Sequence, residues 1–235
     1  IKLGLNTVNK IAMEQQKQPA QRVDLTRFQQ ILSQRPVQAR FKIDRYAEDV
    51  PEMLRLCYIR EVEERGRQFR NDEATADHIS KVAKWLVGAS TKPGLLLYGT
   101  PGNGKTTLAR AAARLIGMLY DSCYYEQRKG VVNVSALELA DIAKDDKSNR
   151  YDAIKRAELL HIDDVGCEPV SLKVWGNEIS PLVETLYFRY DRMLYTVLTS
   201  NLYEEDIQKR YGVRISDRFY EMFDRLSFDN PTYRR

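Results

Sequence analysis

The stretch GLLLYGTPGNGKTTLARAAA, residues 94–113, joins two incompatible periodicities. Leu95, Leu96 and Leu97 form a continuous apolar run, the pattern of a strand covered on both faces. From Lys105 onward the spacing turns helical, through Leu108, Ala111, Ala112 and Leu115. Between the two lie Gly99, Gly102 and Gly104. A glycine inside a helix or strand costs about 0.5–1 kcal/mol, so this density marks a turn whose backbone must approach something closely. Gly99, Gly104, Lys105 and Thr106 fit G-x-x-x-x-G-K-[ST] in full, after a strand and before a helix, which is the context the motif requires. The turn Gly99-Thr100-Pro101-Gly102-Asn103-Gly104 curls its N–H groups toward phosphate oxygens, and the helix N-terminus adds partial positive charge. Lys105, expected at a solvent-facing loop end, is placed to reach the β- and γ-phosphates. The Thr106 hydroxyl is placed to ligate Mg²⁺, and Thr107 completes the first helical turn. Gly99 to Thr107 are therefore the nucleotide-binding candidates.

Working outward, short apolar runs recur at Val131–Val134, Leu159–Ile162, Thr196–Leu198 and Leu226–Phe228. Helical patterns separate them at Lys105–Tyr120, Ala136–Lys144, Glu178–Tyr190 and Ile215–Phe223. This alternation predicts an α/β fold with a five-stranded parallel sheet between two helical layers. Upstream the pattern is helical only. Leu25, Phe28, Ile31 and Leu32 follow a three- and four-residue spacing, a second helix runs from about Val50 to Gln68, and a third from Asp72-Glu73 to Gly88. A polar, glutamine-rich arm occupies residues 1–22. The expected division is a helical N-terminal segment, 1–70, and an α/β domain, 71–235.

At 43% hydrophobic and 30% charged residues, the composition is that of a water-soluble globular chain. No apolar run approaches the ~18–20 residues of a membrane span, and no signal-peptide pattern is present, so a cytoplasmic location without membrane contact is expected. The chain begins at Ile1 rather than Met, as a piece of a longer protein would. Cys57, Cys123 and Cys167 form no C-x-x-C pair and only two histidines are present, which argues against a zinc site and for reduced thiols. A net charge of +4 is too mild to establish nucleic-acid binding. The basic clusters at 35–45, 60–70 and 210–235 each read as solvated helix faces.

A phosphate-loop enzyme needs a carboxylate at the end of a neighbouring buried strand. Leu159-Leu-His-Ile162-Asp163-Asp164 supplies it: Asp163 for the Mg²⁺ shell and Asp164 to polarise the attacking water. His161 reads as strand packing.

With these residues in place, the chain from Phe69 to Arg235 resembles the AAA+ ATPases, and among them the DnaC/DnaI-type helicase loaders and the IstB-like transposition ATPases. The resemblance rests on GLLLYGTPGNGKTTLA, AELLHIDDVGCEP, LYFRYDRMLYTVLTSNL and YGVRISDRFYEMFDRLSF. It implies a phosphate-loop AAA+ three-layer fold, ATP and Mg²⁺ as cofactors, and hydrolysis of ATP. Asn201, ending TVLTSN, takes the sensor-1 position beside the γ-phosphate. In the last stretch Ile215, Phe219, Met222, Phe223 and Leu226 form an apolar stripe at helical spacing, with Arg214 and Arg218 on another face. By resemblance Arg218, assisted by Arg214, reaches the ATP site of a neighbouring subunit, which implies a homo-oligomer in the ATP state. Arg234 falls where a sensor-2 arginine would be.

About a dozen residues follow that helix, so no C-terminal lid domain is expected, which suits the loader and IstB branch. The expectation is a DnaC-like helicase loader binding single-stranded DNA and contacting a replicative helicase through residues 1–70. The alternatives are an IstB-like regulator binding duplex DNA and a transposase, or a nucleotide-dependent switch with little turnover.

Overall fold

The computed structural model describes residues 23–33, 40–121, 124–144, 149–174 and 176–234. The glutamine-rich arm, Cys123 and Arg235 lie outside the described residues. By contacts the chain divides into two units, 1–37 and 38–235. In the first, helix α1 (Leu25–Ser33) is started by Asp24, whose Oδ1 accepts from the N–H groups of Thr26 and Arg27 at 3.0 and 3.1 Å. Its Leu25, Phe28, Ile31 and Leu32 are exposed.

In the second unit, α2 (Val50–Glu63) and α3 (Glu73–Leu86) precede the first strand. Then follow β1 (Gly94–Gly99), α4 (Lys105–Leu119), β2 (Val132–Ser135), α5 (Ala136–Lys144), α6 (Arg150–Arg156) and β3 (Leu159–Val165). A two-stranded hairpin, β4 (Leu172–Val174) with β5 (Asn177–Ile179), leads to α7 (Pro181–Tyr190), β6 (Tyr195–Ser200), α8 (Glu204–Tyr211), α9 (Val213–Met222) and β7 (Phe223–Phe228).

The main sheet has the order β2-β3-β6-β1-β7, with every pairing parallel. Alternation along the strands accounts for the continuous apolar runs. Leu95 and Leu97 face a cluster formed with α2, α3 and α4, whereas Leu96 faces a second cluster with α5, α7 and α9. After β1 the chain crosses to the far edge, steps back through β3 and β6, and finally places β7 on β1's other side. Such reversals open a crevice at the carboxyl ends of the strands, and the glycine turn sits there.

Leu54, Cys57 and Tyr58 of α2 bury in the same cluster as Leu108, Ala111 and Leu115 of α4. Arg114 on α4 also pairs with Glu61 and Glu64, at 2.7 and 2.5 Å. This packing draws residues 40–70 into the unit that holds the phosphate loop, whereas the sequence reading divides the chain at 70/71.

All five expected strands are present, and four local expectations change. The helix expected to reach Gln68 ends at Glu63. Phe223 lies in β7, not on a helix, and Leu226 belongs to the strand expected at 226–228 rather than to the helical stripe: α9 ends at Met222, and Phe223 turns extended to pair with Gly94. Helical spacing and strand alternation coincide over that short stretch, and backbone pairing with β1 decides between them. The helix expected from Glu178 begins at Pro181, because Glu178 pairs with Lys173 in the hairpin. The short helices α6 and α8 add to those expected. Arg189 of α7 is fully buried, and its guanidinium donates to Thr196 Oγ1 and to the carbonyls of Ala157 and Tyr195 at 2.8, 2.7 and 2.5 Å. Burial lowers its pKa to about 9. None of the described helices is long and apolar enough to cross a membrane.

Candidate functional site

The glycine turn is held from below by the last residue of β7. Gly99 has φ +127°, and a Cβ there would lie 2.4 Å from the Phe228 carbonyl oxygen, so only glycine fits. Asn103 is buried and donates from Nδ2 to Thr100 Oγ1 at 3.1 Å and to the Phe228 carbonyl. Gly104, with φ +102°, caps α4. Lys105 is 6% exposed rather than solvent-facing. Its Nζ donates to the carbonyls of Gly99 and Thr100 at 2.9 and 2.6 Å and to Asn103 Oδ1 at 3.2 Å. Burial lowers its pKa to about 8, partly opposed by the nearby Asp164 and Asp163 carboxylates.

The acidic strand end meets the loop helix directly. Asp163 Oδ1 accepts from the hydroxyls of Thr106, at 2.8 Å, and Thr199, at 2.5 Å, while Oδ2 lies 3.5 Å from Arg110 Nη2. After Ile162 the β3–β6 register shifts, and Asp164 takes a left-handed conformation, φ +55°. Its N–H donates to Thr199 Oγ1 at 2.9 Å. Its exposed carboxylate borders the cavity above the loop, with a pKa raised first by burial and then by Asp163.

That cavity, of about 910 Å³, collects Pro101 to Thr107, Asp164, Cys167 and Asn201. Gly99 and Thr100 lie beneath it. The remaining wall comes from residues the sequence reading left outside the site, apart from Arg234, which the resemblance put at a sensor-2 position. Tyr58, Arg65 and Phe69 enter from the end of α2 and the segment after it, and Tyr233 and Arg234 from the segment after β7. Arg65 Nη1 donates to Thr107 Oγ1 at 2.8 Å. The Tyr233 N–H donates to the Gly102 carbonyl at 2.8 Å, and its hydroxyl reaches Asp72 Oδ1 and Thr75 Oγ1 at 3.0 and 2.9 Å. Arg234 is close enough for its charge to lower the pKa of both Asp164 and Lys105. The run EERGRQFR, residues 63–70, carried the signal for Arg65, but its local pattern is equally that of a solvated helix end. Thr199 was visible only as a hydroxyl in an apolar strand.

Arg214 and Arg218 are not brought to this cavity within the chain. Both sit on α9, where Arg214 is exposed. The Arg218 guanidinium carbon lies 4.2 and 5.0 Å from the ring centroids of Tyr187 and Tyr190, and Nη1 lies 3.9 Å from Asp191 Oδ1.

Chemically, the site combines backbone donors, an ammonium group and a helix N-terminus, which suit a polyphosphate, with the Thr106 hydroxyl and Asp163 carboxylate, hard oxygen donors that suit Mg²⁺. Among the described residues no group of three or more His, Cys, Asp or Glu side chains could hold a metal by itself. A Mg²⁺ ion held by these two groups would take its other ligands from water and phosphate oxygens, the usual arrangement for this ion.

Residues 95–167 match the family model described as "ATPase family associated with various cellular activities (AAA)". No curated protein sequence matches the chain. Among solved structures, that of DnaI has a TM-score of 0.53 and 22% identity, covering 71% of this chain and 87% of that one. A putative primosome component from Streptococcus pyogenes serotype M3 has a TM-score of 0.52 and 20% identity, covering 70% of this chain and 84% of the other. The DnaC helicase loader has a TM-score of 0.50 and 21% identity, covering 68% and 93%. At these identities the likeness is one of fold: a phosphate-loop AAA+ ATPase architecture shared with the DnaC and DnaI structures.

Proposed function

We propose that this AAA+-fold chain binds and hydrolyses ATP with Mg²⁺ and acts in DNA replication as a helicase loader of the DnaC type. The observation that carries the reading is the Thr106–Asp163 hydrogen bond, which joins the phosphate-loop helix to the acidic strand end at one point. The triphosphate lies against the N–H groups of the loop and the start of α4. Lys105 exchanges the carbonyls of its own loop for phosphate oxygens, and Arg234 adds a second cation from the same chain. Thr106 would hold Mg²⁺ through its hydroxyl, and Asp163 would support its shell. When bound, the ion neutralises charge on the β- and γ-phosphates. Asp164 accepts a hydrogen bond from the attacking water, and Asn201 orients that water or the γ-phosphate. Arg218, supported by Arg214, supplies the missing cation to the site of a neighbouring copy, so turnover belongs to a homo-oligomer. Single-stranded DNA is the nucleic-acid partner, and residues 1–70 make the contact with a replicative helicase. A transposition regulator of the IstB type would differ in taking duplex DNA and a transposase.

Phosphate release, measured with and without single-stranded DNA for the wild type and Lys105→Ala, tests the reading. Turnover by the wild type and none by the variant is expected. One observation favours a second reading, a nucleotide-dependent switch with little turnover. Asp164 is one methylene shorter than the glutamate common at its position, and its backbone is held at φ +55°. ATP binding without phosphate release under any of these conditions would establish the switch and refute hydrolysis.

A further inference from the structure

His161 precedes Asp163 by two residues on β3, so both side chains leave the same face of the sheet. The imidazole is 1% exposed. It lines a second cavity, of about 570 Å³, that Asp163, Arg110 and Ser135 also border. Its two nitrogens are in different situations. Asn133 on the neighbouring β2 presents Oδ1 to His161 Nδ1 at 2.9 Å, while its own Nδ2 donates to the Val131 carbonyl at 3.0 Å. Those two contacts fix the amide's orientation: Oδ1 accepts, so the imidazole proton is on Nδ1 and Nε2 carries a bare lone pair. The ring is buried and no acceptor is hydrogen-bonded to Nε2, the surroundings of a neutral imidazole rather than of an imidazolium.

Nε2 has no hydrogen-bond partner and lies 3.9 Å from Asp163 Oδ1. Asp163 Oδ1 already accepts from the Thr106 and Thr199 hydroxyls, so the acceptor left without a donor is His161 Nε2. Arg110 turns to Asp163 Oδ2 instead. A fully buried acceptor left unpaired is costly and calls for a donor, and the adjoining cavity has room for water.

We infer that His161, oriented by Asn133, is an outer-shell acceptor for hydrated Mg²⁺, taking through Nε2 a hydrogen bond from a metal-bound water beside Asp163. The inference rests on reading Thr106 and Asp163 as the residues that hold Mg²⁺. Mg²⁺ keeps several of its waters when bound, and each is a strengthened donor that needs an acceptor. Such outer partners orient the shell and set metal affinity. A neutral imidazole with its lone pair fixed toward the site can do this; an isoleucine or leucine of the same strand could not. His161 is thus a positioning residue rather than strand packing.

Metal affinity can be read without turnover by EPR titration of Mn²⁺, standing in for Mg²⁺, into the full chain with a non-hydrolysable ATP analogue. His161→Phe is expected to weaken Mn²⁺ binding roughly 10- to 100-fold and to leave analogue affinity in EDTA unchanged. His161→Gln, which restores an acceptor oxygen, is expected to recover part of the loss. Full-strength Mn²⁺ binding by His161→Phe, with Asp163→Asn impaired, overturns the inference and leaves the metal site standing. Full-strength binding by Asp163→Asn removes the metal site itself, and the role of His161 with it. The unaltered chain provides a second readout, because it contains two histidines, His78 and His161. In ¹⁵N NMR of the analogue complex, adding Mg²⁺ is expected to move the His161 Nε2 resonance toward the hydrogen-bonded range. A resonance unmoved by Mg²⁺ overturns the inference even where a variant fails to fold.

Discussion

Thr199→Val tests whether the acidic strand end is organised by a buried hydroxyl. The substitution keeps the branched shape and removes one oxygen from a fully buried position. That oxygen makes two bonds: it donates to Asp163 Oδ1 at 2.5 Å and accepts the Asp164 N–H at 2.9 Å. A hydrogen bond to a charged group contributes about 1.5–3 kcal/mol, and an amide left without its partner costs about 1–3 kcal/mol. Thr106 still supports Asp163, so the first contribution belongs at the low end. The expected loss is about 2–4 kcal/mol of unfolding free energy, read from the urea midpoint at unchanged slope. Thr199→Ser retains the hydroxyl and is expected to lose only about 1 kcal/mol, from one methyl group. A Thr199→Val loss below about 1 kcal/mol, or one equal to that of Thr199→Ser, would refute the assignment. In either case the carboxylate would be positioned without Thr199.

With Lys105 titrating near pH 8, below its ordinary value of 10.5, the unfolded chain holds more protons than the folded one between those two pH values. Stability therefore rises with pH across that window. Phosphate binding demands the ammonium form, so ATP binding at pH 8 is expected to take up about half a proton, and none at pH 6. Calorimetry in buffers of different ionisation enthalpy measures the uptake, and equal uptake at both pH values would contradict the shift. Arg218→Ala is expected to bind ATP but lose roughly 10³-fold or more in turnover, the scale of a finger supplied in trans. Mixing it with Lys105→Ala is expected to restore part of the rate, and a dead mixture would rule out action across subunits. Binding to single-stranded DNA is expected to weaken steeply between about 50 and 200 mM salt if several phosphates are contacted; fluorescence anisotropy that is flat over this range would count against the loader reading.

The phosphate loop and the sheet were legible in the sequence because both are short-range. A strand, a glycine turn and a helix start follow one another within twenty positions, and each obeys its own period. The same logic exposed the acidic end of β3. Legibility failed where two periods coincide, as at Phe223, where only pairing with β1 distinguishes strand from helix. It failed again at α8, although Glu204, Glu205 and Asp206 at its start and Lys209 and Arg210 at its end complement the helix dipole.

What the sequence by itself determined is a phosphate-loop α/β chain with its cation, hydroxyl and carboxylates named. Those residues are of types that chemistry demands, at spacings that backbone geometry demands. What only the tertiary structure decided is the company they keep. Tyr58 and Arg65 close one wall of the cavity, Tyr233 another, and Thr199 holds Asp163 from the strand between β1 and β3. Asn133 turns a strand histidine into an acceptor facing the same carboxylate. These residues lie tens to more than a hundred positions from the loop, and no local pattern distinguishes them from solvated or packing side chains. Their meeting follows from the sheet order, which is set by the burial of both faces over the whole chain rather than by any one segment.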